Sequence, residues 1–120
     1  MGGEPHSPTA DWELLHGAVH AAKELGRAVA VGPIASSDAF YDPDAEQARR
    51  WSRRGVLAVE MESAALFTIA ALRGVHAGTL LVVSDLLTGD HRERIGDDAL
   101  AEAVDGMTEL ALRAVTHSKR

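Results

Sequence analysis

Short apolar runs alternate along this chain with longer segments whose apolar residues recur every three or four positions. A short apolar run predicts a buried strand, whereas the longer spacing predicts an amphipathic helix. The runs occupy residues 28–34, 56–59 and 79–83, and the helical segments occupy residues 9–25, 42–54 and 62–73 and a last stretch from Leu100 to Ala114. This alternation predicts an α/β fold, in which helices cover a mostly parallel sheet with right-handed crossovers.

Three predicted strands are few for a sheet of this kind. The run over residues 79–83 is the strongest strand prediction, because its continuous apolar character suits a strand covered on both faces. Residues 86–95 are charged and predict a loop. The apolar runs require neighbouring strands that the chain does not supply. We therefore expect residues 1–120 to form a single, partial domain, with a flexible head over residues 1–9.

Composition excludes several classes of function. The net charge of −6 argues against nucleic-acid and anionic-membrane partners, because both select a basic surface. The absence of Cys excludes disulfides, thiolate catalysis and thiolate-bound zinc. His16 and His20 stand one helical turn apart, but no third ligand accompanies them convincingly, so we expect no metal site. No apolar stretch is long enough for a membrane span and no signal peptide is visible, which predicts a cytoplasmic protein.

Two acidic motifs follow the second and third apolar runs. Glu60 and Glu62 stand in Val59-Glu60-Met61-Glu62-Ser63-Ala64, at the predicted start of a helix, and Asp85 ends Leu81-Val82-Val83-Ser84-Asp85. Taken singly, each motif is more typical of a helix start or a turn. Because open α/β sheets bind small ligands at the carboxyl ends of their strands, the combination favours one shared site.

These motifs and two further segments resemble the nucleoside phosphorylase superfamily, in particular its bacterial hexamer-type purine nucleoside phosphorylases. Ser36-Ser37-Asp38-Ala39-Phe40-Tyr41 is similar to the base-binding loop of that family, and Ala21-Ala22-Lys23-Glu24-Leu25-Gly26 is similar to the helix before it. The resemblance covers residues 10–116 and corresponds to the C-terminal half of a family domain. It implies a three-layer, phosphorylase-type α/β domain.

The resemblance implies roles for both carboxylates. Glu62 matches the residue that accepts hydrogen bonds from the ribose hydroxyls, and Met61 matches the residue beneath the sugar. Val59 and Glu60 line the same turn. Asp85 matches the general acid that protonates the leaving purine, a role that requires burial or the nearby Glu62 to keep the carboxyl group partly protonated.

The resemblance also implies contacts around these groups. Phe40 matches the aromatic residue that stacks on the base, and Ser37 lies beside it. Ser84 would orient the loop that carries the acid. Arg92 and Arg94 are the two candidates for an arginine that supports the acid during proton transfer.

The implied reaction is the reversible phosphorolysis of a purine nucleoside to free base and ribose 1-phosphate. Inorganic phosphate would be the co-substrate, with no metal or organic cofactor. The Gly-rich, Arg-containing phosphate segment of the family has no counterpart in the chain, so the sequence predicts half an active site. Two alternatives remain open, namely a nucleosidase that uses water and a truncated chain without catalysis of its own. The family further implies a homo-oligomer, a hexamer built from dimers.

Overall fold

Helices alternate with short strands in the computed structural model, which describes residues 6–38, 46–87 and 93–117. The helices are α1 (Trp12–Glu24), α2 (Gln47–Arg53), α3 (Ser63–Arg73) and α4 (Asp97–His117), and the strands are β1 (Ile34–Ser36), β2 (Ala58–Glu60), β3 (Asp85–Leu86) and β4 (Glu93–Arg94). The predicted α/β fold is confirmed, and a helix forms in each of the four segments that predicted one. The predicted start of α2 lies outside the described residues.

Polar side chains and glycines set the ends of the helices. Asp11 is the N-cap of α1, and its Oδ2 accepts a hydrogen bond of 3.0 Å from the backbone N–H of Leu14. At the other end, Gly26 adopts a φ of +67°. Gly74 ends α3 with a φ of +66°, in the left-handed region that favours glycine. The sequence therefore predicts these boundaries well.

A parallel pair of strands carries the first predicted site segment. Strands β1 and β2 are joined in register, with Ser36 opposite Glu60 at their carboxyl ends. The pair includes only the last residue of the predicted strand over residues 28–34, so most of that prediction is wrong. Val29 and Val31 are 45% and 53% exposed. An apolar run becomes a strand only where a neighbour completes its ladder.

The predicted strand over residues 79–83 does not form, although its apolar run is continuous. These residues lie in no helix or strand, and Leu81 and Val83 are 43% and 55% exposed. The next strand is β3, which pairs with β4 in antiparallel register so that Asp85 lies opposite Arg94. The predicted loop over residues 86–95 therefore contains part of a small hairpin, because cross-strand pairing overrides the charged composition.

The packed centre of the described residues lies between α1 and α4. Ala21 and Ala22 are 2% and 1% exposed and pack with Leu110 of α4, against which Leu80 is also partly buried. Outside this centre, many large apolar side chains are exposed; on α3 and just after it they are Leu66, Ile69, Leu72 and Val75. Exposed apolar surface of this extent is typical of a surface that packs against further protein.

Candidate functional site

The carboxylate of Glu60 fastens the start of α3 to the ends of both parallel strands. Ser36 Oγ donates a hydrogen bond to Glu60 Oε1, and Glu60 Oε2 accepts from the backbone N–H groups of Glu62 and Ser63, each at 2.7 Å. Ser36 Oγ in turn accepts from the N–H of Ala64 at 2.9 Å. The first N–H groups of a helix have no partner within it, so these acceptors satisfy them from the strand ends.

The same contacts set the charge of Glu60. Partial burial raises the pKa of its carboxyl group, but hydrogen bonds from Ser36 and from the N–H groups of Glu62 and Ser63 outweigh burial, and the pKa lies below its ordinary value. Glu60 is therefore ionised at neutral pH. A negative charge at this position also complements the positive end of the α3 dipole.

Glu62 has the position but not the usual contacts of a helix cap. It is the N-cap residue of α3, yet its side chain makes no capping hydrogen bond and is exposed. Glu60 supplies the acceptor that an N-cap side chain normally supplies. Met61, next to it, is 41% exposed, and Val59 is half-buried in β2. The predicted residues of this motif thus share one turn, with the carboxylate of Glu62 open to solvent.

Ser37 adjoins this turn through its backbone. Its N–H donates to the carbonyl oxygen of Glu60 at 2.8 Å, one residue beyond the ladder of β1 and β2. Its predicted role beside the base stays a prediction. Phe40, the predicted base-stacking residue, and Arg92 lie outside the described residues.

Asp85 lies in a second cluster, built on β3 and β4. Ser84 Oγ donates to Asp85 Oδ2 at 3.2 Å, and Arg94 Nη1 lies 3.7 Å from the same oxygen. The N–H of Ile95 donates to the carbonyl oxygen of Ser84 at 2.8 Å, which joins the residue before β3 to the residue after β4. The Asp85 side chain is 15% exposed, and that of Arg94 is 60% exposed. Of the two candidate arginines, Arg94 lies beside Asp85, and Arg92 lies outside the described residues.

These groups border an open cleft. The cleft has a volume of about 380 Å³ and is lined by residues of both strands and their neighbours, namely Val83, Ser84, Asp85, Leu86, Glu93, Arg94 and Ile95. Its apolar and charged walls suit a small polar molecule with an apolar face. A molecule bound here would meet the Asp85 carboxyl group, with the Arg94 guanidinium 3.7 Å from Asp85 Oδ2.

The two clusters are built on different parts of the fold. Glu62 stands on the turn between β2 and α3, whereas Asp85 stands in the separate sheet of β3 and β4. A hydrogen bond of 3.2 Å between Ser63 Oγ and Thr79 Oγ1 joins the start of α3 to the segment that leads to Asp85. The expected single edge of adjacent parallel strands is therefore not formed, because the segment before Asp85 belongs to no strand.

The role of Ser36 is not predicted from the sequence. The sequence holds only an indirect signal: the predicted helix at residue 62 begins with Glu, which is a poorer N-cap than Ser, Thr, Asp or Asn. A helix start without a good cap of its own requires an acceptor from elsewhere in the chain. Ser36 is the first residue of the predicted base loop, and the parallel register places it opposite Glu60.

Residues 6–38, 46–87 and 93–117 contain neither a candidate metal site nor a candidate membrane-spanning helix. No group of three or more His, Asp or Glu side chains there could hold a metal ion. His20, one of the two histidines of α1, lies 2.5 Å from Glu24. None of the helices in those ranges is both long and apolar enough to cross a membrane.

Comparison with known proteins agrees with the resemblance in the motifs. The family model of the phosphorylase superfamily matches residues 2–117. A DeoD-type purine nucleoside phosphorylase of Caldanaerobacter subterraneus subsp. tengcongensis is 49% identical over 89 residues, which cover 73% of this chain and 38% of that protein. The same enzyme of Exiguobacterium sibiricum is 46% identical over 114 residues, covering 90% of this chain and 48% of that protein. The chain thus spans half or less of the length of these relatives, and it belongs to the phosphorylase superfamily.

Proposed function

We propose that this chain carries the sugar-binding and base-protonating residues of a purine nucleoside phosphorylase. The observation that carries the proposal is its identity of 46% and 49% to proteins that bear this name. The reaction would convert a purine nucleoside and inorganic phosphate into free base and ribose 1-phosphate. No metal or organic cofactor is required in this proposal.

Glu62 is the proposed ligand of the ribose. Its exposed carboxylate makes no capping hydrogen bond at the start of α3, so both oxygens can accept from vicinal hydroxyls in charge-assisted hydrogen bonds. Met61 beside it offers an apolar, adaptable surface to the sugar. These contacts would strengthen as the ribose acquires oxocarbenium character.

Asp85 is the proposed general acid. As the bond between the sugar and the base breaks, its electrons move to the purine, and the Asp85 carboxyl group donates a proton to the five-membered ring of the base. A phosphate oxygen then completes the bond to the sugar carbon. Arg94, 3.7 Å from Asp85 Oδ2, supports the carboxylate that remains. Ser84 would orient Asp85, and Ser37 and Phe40 would border the base.

The products of the reaction test this proposal. The purified chain is incubated with inosine or adenosine, with and without phosphate, and free base, ribose 1-phosphate and ribose are quantified. Phosphorolysis gives ribose 1-phosphate only when phosphate is present. Free ribose in both conditions would instead support a nucleosidase, and no product would support a chain that does not catalyse the reaction by itself.

Matched variants then test the acid. Asp85→Asn is expected to lower purine turnover by about 10²-fold, the usual contribution of a general acid. Asp105→Asn, which removes an exposed carboxylate from the middle of α4, is the control and is expected to leave turnover unchanged. Equal, measurable turnover in the two variants would refute the assignment of Asp85.

The alternative of a chain without catalysis has a specific motivation. The proposed phosphate site has no assigned residue in the chain, and large apolar side chains of α3 are exposed. Further protein could therefore supply both the phosphate site and the missing cover. A homo-oligomer is inferred from the family resemblance and, like the cytoplasmic location expected from the sequence, remains a prediction.

A further inference from the structure

We propose that Ser36 is a positioning residue that acts through Glu60 to keep the carboxylate of Glu62 available for the ribose hydroxyls. The inference rests on the proposed function of Glu62. Its first basis is geometric: Ser36 Oγ donates to Glu60 Oε1 and accepts from the Ala64 N–H at 2.9 Å. Ser36 Oγ thus contacts both Glu60, whose carboxylate accepts hydrogen bonds at the start of α3, and the N–H of Ala64, which donates there.

Two carboxylates lie at the start of α3, and one of them has the structural task of accepting hydrogen bonds from the first N–H groups of the helix. Glu60 and Glu62 are two residues apart, and either could accept from the unsatisfied N–H groups of α3. Glu60 performs the task, with its Oε2 at 2.7 Å from the N–H groups of Glu62 and Ser63. The Glu62 side chain makes no capping bond. The hydrogen bond from Ser36 selects between them, because it fixes the Glu60 carboxylate with one oxygen turned toward the helix.

The register of the parallel strands places Ser36 where it can fix the Glu60 carboxylate. Ser36 lies directly opposite Glu60 at the carboxyl ends of β1 and β2, so backbone pairing sets the distance between the two side chains. The N–H of Ser37 extends the pairing to the Glu60 carbonyl oxygen at 2.8 Å. The lowered pKa of Glu60 agrees with this arrangement: partial burial raises it, but the hydrogen bonds from Ser36 and from the N–H groups of Glu62 and Ser63 favour the charged form and outweigh burial.

Loss of the Ser36 hydroxyl would release both sides of the arrangement. Glu60 would lose a donor and rotate, and the Ala64 N–H would lose its acceptor. The exposed Glu62 carboxylate is then the nearest replacement, and the positive end of the α3 dipole would attract it. A Glu62 that caps its own helix has fewer free lone pairs for ribose hydroxyls.

Nuclear magnetic resonance of the 120-residue chain tests the positioning role without any ligand. In Ser36→Ala, the amide of Ala64 should exchange with solvent about tenfold faster, and the carboxyl carbon of Glu60 should titrate at a higher pH than in the wild type. Ser36→Thr, which keeps a hydroxyl, should restore both values, and Ser52→Ala, an exposed serine of α2, should change neither of them.

Nucleoside binding, measured by titration with inosine, separates this inference from the proposed function. We expect Ser36→Ala and Glu62→Gln to raise Kd about tenfold, the effect of losing one hydrogen bond to a charged group, whereas Ser36→Thr binds like the wild type. No binding by the wild type would count against the proposed function, while the amide and carboxyl measurements still decide the positioning role. Unchanged exchange at Ala64 and unchanged titration of Glu60 in Ser36→Ala would overturn the inference, as would wild-type Kd in that variant.

Discussion

Replacement of Leu110 by Ala should destabilise the chain strongly, because this side chain fills the contact between α1 and α4. Leu110 is 4% exposed and packs against Ala21 and Ala22. The change removes three carbon groups, each worth about 0.8 kcal/mol on burial, or about 2.4 kcal/mol together. The neighbouring alanines are too short to fill the space, so a cavity term adds to this loss and the expected total is about 3–5 kcal/mol.

Leu112 gives a matched control two residues further along the same helix. It is 67% exposed, so about a third of the same side chain is buried and Leu112→Ala should cost less than about 1 kcal/mol. Urea unfolding of both variants, followed by far-UV circular dichroism, measures the difference in the free energy of unfolding. Equal losses would refute the conclusion that the α1–α4 contact is the stabilising centre of the chain.

Three further substitutions test local features, each by urea unfolding. Gly74→Ala should cost about 1 kcal/mol, because a residue with a side chain resists the φ of +66° at the end of α3; no loss would contradict that reasoning. Gly106→Ala should stabilise α4 by up to about 1 kcal/mol, because alanine is more favourable than glycine inside a helix. The Arg27 guanidinium, 2.5 Å from the new Cβ, can move into solvent; a clear loss of stability would show that displacing it costs more than the helix gains. As the pH falls, the free energy of unfolding should decrease less in Glu60→Gln than in the wild type. The lowered pKa of Glu60 means that its contribution is complete above the usual value of about 4.3 and disappears as the pH falls through the folded value; identical pH profiles would argue against it.

The helices of this fold could be predicted from the sequence because their signals are local. Asp11 and Gly74 mark helix ends by their own conformational and hydrogen-bonding preferences. Strands depend on partners, and the apolar runs over residues 28–34 and 79–83 give no indication of whether a partner is present. The hairpin of Asp85 and Arg94 was missed for the same reason, since its charged residues pair across strands rather than along the chain.

The site shows the same difference between local signals and contacts that depend on distant partners. The resemblance of short motifs predicts Glu62 and Asp85 as site residues, and the structure adds Ser36, which contacts Glu60, and Arg94, which lies beside Asp85. Ser36 could not be selected from local sequence, because its contact with Glu60 spans 24 positions and depends on the register of β1 and β2. Arg94 is one of two candidates in the sequence, and its distance of 3.7 Å from Asp85 Oδ2 follows from cross-strand pairing that the local sequence does not show.

Because the contact between Ser36 and Glu60 depends on the register of β1 and β2, the stability of this sheet affects the geometry of the proposed site. The ladder of β1 and β2 is three residues long, and a pair of such short strands is marginal without further neighbours. Because Ser36 and Glu60 end this ladder, any disorder in it would loosen the start of α3 and the orientation of Glu62. A protein surface that paired with residues 28–33 would extend β1 and cover Val29 and Val31. It would therefore order the proposed sugar-binding carboxylate without contacting it.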